Sequence, residues 1–222
     1  MILNKRSDMH ISKRSLLQNT IKSIAAMAVI TPAISLFTAC TEKKLAFKAV
    51  DITGADYARD FAADGAMLDH NGKPRSIKDF AGKIVVLFFG FTQCPDVCPT
   101  TMTELVEVKK ILEKNNKGDG DKVQGLFITI DPERDTPEIL KAYMANFDPT
   151  FLALRTTPEK LVAVAKEFKT YYKKVPGRTD TSYSMDHSAG SFVYDTKGNV
   201  RLYTRYGSGA EALASDLKLL LN

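Results

Sequence analysis

Two cysteines four positions apart are the residues of this chain with the most recognisable chemistry. Cys94 and Cys98 lie in the segment 88–101, which reads FFGFTQCPDVCPTT. On a helical turn this spacing brings both sulfur atoms to one side of the backbone, where they can be bridged or share one metal ion. The pair can therefore be a dithiol, a disulfide or a chelate. The alternative is a structural pair, buried or permanently disulfide-bonded, although a bridge closing so short a loop would stabilise the fold little.

The flanking segments predict where the cysteines sit in the fold. Residues 83–89 form a continuous apolar and aromatic run, which is typical of a strand buried on both faces of a sheet. Residues 101–114 carry apolar side chains at helical spacing. The cysteines are therefore expected between a buried strand and the start of a helix. Because the positive end of a helix dipole favours thiolate over thiol, we expect this location to lower the pKa of a cysteine.

The remaining pattern predicts an α/β fold. Residues 123–130 form a second buried strand after the cysteine helix, which gives a parallel, right-handed β-α-β unit. Turn signals between residues 61 and 80 indicate a β-hairpin leading into the sheet. Two helices, a hairpin at 191–204 and a helix from Glu211 follow. This order predicts a thioredoxin-like fold over residues 47–222, with a central mixed β-sheet flanked by helices, and with insertions.

Length and composition indicate one globular domain with an appendage. The 222 residues are 44% apolar and 26% charged, which excludes a disordered chain and a protein with several membrane spans. The net charge of +5 is concentrated at the N-terminus, because residues 1–40 hold five basic residues and one acidic residue. Subtracting these from the totals of 31 basic and 26 acidic residues leaves a balance of +1. This near-neutral remainder argues against nucleic acid as a partner.

The N-terminus has the layout of an export signal. A basic stretch precedes the uncharged run from Ser23 to Ala39, and Cys40 follows. The pattern resembles a bacterial lipoprotein processing site, in which Cys40 would be lipidated after removal of residues 1–39, leaving a short leader at residues 40–46. An uncleaved membrane anchor and a simple cleaved signal are the alternatives. All three predict a domain in the bacterial cell envelope, facing the periplasm or the cell exterior, where disulfides persist.

A histidine supplies a third soft donor. His10 lies in the export segment and His70 beside a predicted turn, whereas His187 lies in a loop immediately before a predicted core strand. In a thioredoxin-like topology this loop is next to the cysteine turn, so His187 is predicted to meet Cys94 and Cys98. Two thiolates and one imidazole suit Cu(I) and can hold Cu(II) with a further donor. Zinc can use the same ligands, but an open three-ligand site would leave it reactive. The sequence therefore favours one copper ion per domain.

Several residues are candidates for supporting roles. Asp135 reads as the N-cap of a helix, in a capping box, which is a structural role. Asp131 and Arg134 follow a strand on the side where α/β proteins bind ligands, and together with Asp186 they are candidates for orienting the metal-binding loop or a partner. The stretch 169–178 is basic with two interleaved tyrosines. We expect a solvated helix end there, with a docking surface for an acidic partner as the alternative.

Three linked motifs resemble those of the SCO/SenC proteins, the copper chaperones of cytochrome c oxidase assembly. They are CPDVCP at 94–99, DPERDTP at 131–137 and DHS at 186–188, and the resemblance covers about residues 47–222. It implies a thioredoxin-like domain that binds one copper ion through the two cysteines and the histidine. It also implies that the domain delivers copper to, or reduces, the dinuclear copper site of the oxidase subunit. Another copper carrier and a thiol reductant are further expected partners.

Two enzymatic functions compete with a metallochaperone. A thiol-disulfide reductase would use Cys94 and Cys98 as attacking and resolving cysteines and would not need His187. A peroxiredoxin-like peroxidase would require proline at 87 and threonine at 91, where the chain has Leu87 and Phe91. The sequence therefore favours the metallochaperone, keeps the reductase as the alternative and disfavours the peroxidase.

Overall fold

The strand that leads into the cysteine pair lies in the middle of a seven-stranded sheet. The computed structural model describes residues 45–62, 67–179 and 182–221. The strands are β1 (Val50–Asp51), β2 (Leu68–Asp69), β3 (Ile84–Gly90), β4 (Val123–Thr129), β5 (Leu152–Arg155), β6 (Tyr172–Pro176), β7 (Tyr183–His187), β8 (Ser191–Tyr194) and β9 (Val200–Thr204). The α-helices are α1 (Val97–Asn115), α2 (Pro137–Met144), α3 (Pro158–Glu167) and α4 (Ala210–Leu221).

The main sheet is mixed, as predicted. Its strand order is β1-β9-β8-β3-β4-β5-β2. The three strands β3, β4 and β5 run parallel, whereas β8 pairs antiparallel with β3, and the two outermost strands are antiparallel to their neighbours. A separate two-stranded sheet is formed by β6 and β7. The α/β prediction and the parallel β-α-β unit around α1 are therefore confirmed.

The burial of the central strands on both faces explains why they could be predicted from the sequence. All seven residues of β3 and all seven of β4 are buried, so neither strand needs a polar face. Helix α1 buries the apolar stripe that its spacing predicted, including Met102, Leu105 and Val108. The helix begins at Val97, four residues before the predicted start, with Asp96 in the N-cap position. Cys98 therefore belongs to the first turn of the helix.

One prediction about a flanking segment is wrong. The basic stretch 169–178 is not a helix end, because half of it forms β6, which pairs with β7 in an antiparallel hairpin. The predicted hairpin before β3 is present as a short antiparallel turn with a bridge between Leu68 and Pro74. Strand β2 also pairs with β5, a strand that the sequence analysis did not identify. Strands as short as β2 and β6 leave little local pattern in the sequence, because each is defined by the strand with which it pairs.

The N-terminal predictions concern a part of the chain outside the described residues. Residues 1–39 and Cys40 lie outside the described residues, and the described part of the chain belongs to the unit Lys44–Asn222. Within that part, the helices are too short or too polar to cross a bilayer. Near the start of the described residues, the backbone N–H groups of Lys48 and Ala49 donate to the buried carboxylate of Asp216 in α4.

Candidate metal centre

Three donors that are distant in sequence lie together at one end of the central sheet. The ligand atoms of Cys94, Cys98 and His187 are all within 4.8 Å of one another. The Sγ atom of Cys98 lies 3.7 Å from Nε2 of His187. Both cysteines are free thiols, and Cys98 is buried whereas Cys94 is partly exposed. Two sulfurs and one imidazole nitrogen at this spacing form a soft donor set for a single metal ion.

The turn between β3 and α1 positions the two sulfur atoms. The backbone N–H of Cys94 donates to the carbonyl of Phe91 at 3.2 Å, which closes the turn. The N–H of Cys98, in the first helical turn, points at Sγ of Cys94 at 3.5 Å. Gly90 provides room for the second thiol, because a Cβ atom at this position would lie 2.8 Å from Sγ of Cys98. Thus Cys98 packs against the end of the strand and Cys94 faces outward.

Local hydrogen bonding selects the nitrogen of His187 that faces the thiols. The sequence predicted this histidine in a loop, whereas the structure places it at the end of β7, opposite Tyr172 of β6. Its Nδ1 lies 2.9 Å from the carbonyl oxygen of Ser188, which can only accept, so Nδ1 carries the proton. The ring packs edge-on against Phe88 and Phe91. The unprotonated Nε2 atom is consequently directed at the sulfur atoms.

Burial controls the protonation of the centre more than the helix dipole does. It raises the pKa of the Cys98 thiol well above its usual range, against the lowering effect of the Phe91 backbone hydrogen bond. The expectation of a lowered thiol pKa is therefore wrong for Cys98, which is completely buried. Burial also lowers the pKa of His187, so that the imidazole remains neutral and able to bind a metal. The metal-free pair is thus a neutral thiol facing a neutral imidazole.

Asp131 and Arg134 connect the cysteine turn to the histidine strand. The buried carboxylate of Asp131 forms an ion pair with Nε of Arg134 and accepts a hydrogen bond from the Tyr183 hydroxyl at 2.8 Å. The Nη1 atom of Arg134 donates both to Oε1 of Gln93, at 3.0 Å, and to the backbone carbonyl of Tyr183, at 2.8 Å. The guanidinium carbon also lies 3.6 Å from the centre of the Tyr183 ring. One arginine therefore contacts the neighbour of Cys94 and the strand that carries the histidine.

Asp135 does not cap a helix, contrary to the sequence interpretation. Thr136 is the N-cap of α2, and its hydroxyl accepts from the N–H of Ile139 at 3.4 Å. The carboxylate of Asp135 is instead fully buried and binds Thr92, in the cysteine turn, and Thr129, at the end of β4. Burial raises the pKa of Asp135, although the hydrogen bonds from both threonines lower it. The sequence signal was ambiguous because acidic residues before a proline commonly cap helices.

The other candidates do not join the donor cluster. Asp186 is exposed and faces away from His187, because successive strand residues point to opposite sides. Its negative charge offsets only part of the lowering of the His187 pKa by burial. His70 accepts a hydrogen bond from the N–H of Ala153 at 3.1 Å, beside β5. Within the described residues the group of metal-binding side chains consists of the two cysteines and His187.

Fold and site together define a class of protein. The mixed sheet with flanking helices and a cysteine pair after the central strand is the thioredoxin-like fold seen in solved Sco structures. A sequence profile described as SCO1/SenC matches residues 53–222, and the chain belongs to this family.

Individual relatives agree with this assignment. The mitochondrial SCO2 homolog of Bos taurus is 39% identical over 149 residues, which cover 67% of this chain and 54% of that protein. The SCO2-like protein of Rickettsia felis is 35% identical over 156 residues, covering 70% of this chain and 74% of that protein. The chain thus spans about half the length of the bovine relative.

Solved structures of similar proteins include copper complexes. The structure of Bradyrhizobium japonicum ScoI with copper bound matches with a TM-score of 0.62 and 40% identity, covering 70% of this chain and 96% of that chain. Yeast Sco1 with copper bound matches with a TM-score of 0.61 and 28% identity, covering 69% of this chain and 84% of that chain.

Proposed function

We propose that this protein is an extracytoplasmic copper metallochaperone in cytochrome c oxidase assembly. The observation that carries the proposal is the convergence of Cys94, Cys98 and His187 within 4.8 Å of one another. Soft sulfur and imidazole donors suit copper, and similar proteins have been solved with copper bound. The domain holds one copper ion as cargo, as Cu(I) through the three donors or as Cu(II) with a further donor.

Partial exposure of one thiol suits delivery of the metal. Cys94 is partly exposed, as is His187, while Cys98 is buried. A dithiol on an acceptor can bind copper first while Cys94 is released, and the remaining two donors then exchange in turn. No change of oxidation state is needed in this ligand exchange. The acceptor is the subunit that carries the dinuclear copper site of the oxidase, and another copper carrier is the expected donor.

The N-terminal segment supports a location in the bacterial cell envelope. Residues 1–39 act as the export segment, Cys40 is the lipidated residue, and residues 40–46 form the leader to the copper-binding domain, 47–222. A membrane tether of this kind, or an uncleaved anchor, keeps the domain facing the periplasm or cell exterior near a membrane-bound oxidase. Copper outside the cytoplasm needs a dedicated carrier because free copper binds most nitrogen and sulfur sites tightly.

A thiol-disulfide reductase is the second candidate, and the unequal exposure of the two thiols favours it. The Cys94 thiolate would attack a disulfide of the oxidase copper site and release one partner thiolate. The Cys98 thiol would then lose its proton and attack Cys94, releasing the second partner thiol. The domain would be left as a disulfide, oxidised by two electrons, and an external thiol reductant would restore it.

A comparison of two histidine variants separates the candidates. His187→Ala removes a donor from the centre, whereas His70→Ala removes a histidine that lies beside β5 and serves as the control. The chaperone proposal predicts that His187→Ala abolishes transfer of copper to an acceptor dithiol peptide while His70→Ala does not. Disulfide reduction by His187→Ala should persist, since that chemistry needs only the cysteines. Copper transfer by His187→Ala at the wild-type rate would contradict the chaperone assignment.

A further inference from the structure

We infer that Asp135 is a positioning residue for the copper site, because its buried carboxylate fixes the turn that carries Cys94. This inference rests on the proposed copper function. Asp135 follows β4 and has no exposed surface. It touches neither cysteine sulfur through a hydrogen bond and acts instead through Thr92, two residues before Cys94.

The contacts of Asp135 join two strand ends. Its carboxylate accepts hydrogen bonds from the N–H of Thr92 at 3.2 Å and from the Thr92 hydroxyl at 2.5 Å. It also accepts from the hydroxyl of Thr129 at 2.5 Å. Gly90, the last residue of β3, and Thr129 are register neighbours in the two parallel strands. The carboxylate therefore connects the chain just beyond β3 to the end of β4.

The chemistry of these contacts requires an acceptor. The hydroxyl of Thr129 accepts from the N–H of Asp131 at 3.0 Å, which leaves its own proton for Asp135. The backbone N–H of Thr92 can only donate. A carboxylate has acceptor capacity for all of these donors, whereas an asparagine of the same shape must direct an NH2 group at one of them. Asp135→Asn should therefore break at least one contact without changing the volume of the side chain.

A shift of the turn would change the distance between donors as well as the stability of the fold. Cys98 is held by helix α1 and by its packing on Gly90, so it does not depend on Thr92. Cys94 lies between Thr92 and the helix, and its N–H is bound to Phe91, the residue before Thr92. Release of Thr92 therefore moves Cys94 relative to Cys98. Metal affinity depends on the distance between the two sulfur atoms, whereas the domain can remain folded when this distance changes.

Two variants of Thr92 and one control test the inference alongside Asp135→Asn. Thr92→Val keeps the shape of the side chain and removes its hydroxyl, whereas Thr92→Ser keeps the hydroxyl. Thr136→Val is the matched control, because it removes the neighbouring N-cap hydroxyl, which binds Ile139 and not the cysteine turn. For each protein we would measure Cu(I) affinity by anaerobic competition, the visible spectrum of the Cu(II) form, and the denaturant midpoint of the metal-free protein.

We expect Asp135→Asn and Thr92→Val to weaken Cu(I) binding by about tenfold or more and to shift the Cu(II) spectrum, as is typical for residues that orient metal ligands. Thr92→Ser should regain wild-type affinity, and Thr136→Val should lower the midpoint with unchanged affinity. Wild-type affinity and spectrum in Thr92→Val would overturn the inference, and that variant serves if Asp135→Asn does not fold. Failure of the wild-type protein to bind copper would instead overturn the proposed function.

Discussion

The Nε2 atom of His187 lies 3.7 Å from the Sγ atom of Cys98, in a pocket where burial keeps both groups neutral. Nδ1 donates its proton in a hydrogen bond to the carbonyl of Ser188, so the Nε2 lone pair faces the thiol. The metal-free centre is therefore a neutral imidazole beside a thiol that still carries its proton. Binding of a cation must displace that proton.

Copper affinity should rise with pH. Because the pKa of Cys98 is raised by burial, its thiol is protonated at neutral pH, and each copper bound should release about one proton from this residue. His187, with a lowered pKa, is already neutral there and adds no proton. The apparent Cu(I) affinity should then increase by at least about tenfold per pH unit through the neutral range. Competition titrations at several pH values measure this slope. An affinity independent of pH would show that the thiol is already ionised.

Arg134→Lys should weaken the site, because lysine cannot contact Asp131, Gln93 and Tyr183 at once. We expect about tenfold lower copper affinity. We also expect a loss of about 1–3 kcal/mol in the free energy of unfolding, since buried acceptors lose their partner.

The matched control for this change is Arg75→Lys. Arg75 pairs with the buried carboxylate of Asp69 at 2.8 Å, in the turn after β2. The Arg75→Lys variant should have a lower free energy of unfolding and an unchanged copper affinity. Equal effects of the two variants on copper affinity would show that Arg134 has no special connection to the site.

Gly90→Ala should displace Cys98, because the added Cβ would lie 2.8 Å from its sulfur and 2.7 Å from the Phe127 ring. Overpacking of this kind costs about 1–3 kcal/mol in unfolding free energy. Gly125→Ala, in β4, is equally crowded by Phe151, at 2.7 Å, and serves as the control. Copper binding should weaken in Gly90→Ala and stay at the wild-type level in Gly125→Ala, as measured by competition titration. Wild-type copper binding by both variants would show that the end of β3 does not influence the metal centre.

Tyr143→Phe should leave stability unchanged or raise it by up to about 1 kcal/mol. The hydroxyl of Tyr143 is buried and has no hydrogen-bond partner among the described residues, so its removal eliminates an unsatisfied group. Tyr194→Phe provides the contrast, because the Tyr194 hydroxyl donates to the carbonyl of Ala58 at 2.8 Å. That variant should lose about 1 kcal/mol. Urea unfolding measures both, and destabilisation by Tyr143→Phe would mean that its hydroxyl is bonded in solution.

The central part of the fold could be predicted because its strands and its first helix each have a regular pattern of apolar residues in the local sequence. Strands β3 and β4 are buried on both faces and therefore read as continuous apolar runs. Helix α1 repeats its apolar residues at helical spacing. The turn between β3 and α1 follows directly from these two elements, and with it the location of Cys94 and Cys98.

The remaining parts depend on contacts that the local sequence does not record. Strands β6 and β7 contain one fully buried residue, Met185, so neither has the apolar run of a core strand, and they form because they pair with each other. Asp135 has the local pattern of a helix cap, but its burial is determined by Thr92, which lies 43 positions away. The exposed position of Asp186 likewise follows from the strand register of β7. The raised pKa of Cys98 could not be predicted either, because it results from the complete burial of this side chain in the folded domain.

Anaerobic Cu(I) titration of the reduced domain tests the three-donor centre most directly. Wild-type protein should bind one equivalent, and Cys94→Ser, Cys98→Ser and His187→Ala should each lose tight binding while remaining folded by circular dichroism. Retention of one tightly bound equivalent by any of these three variants would contradict the proposed ligand set.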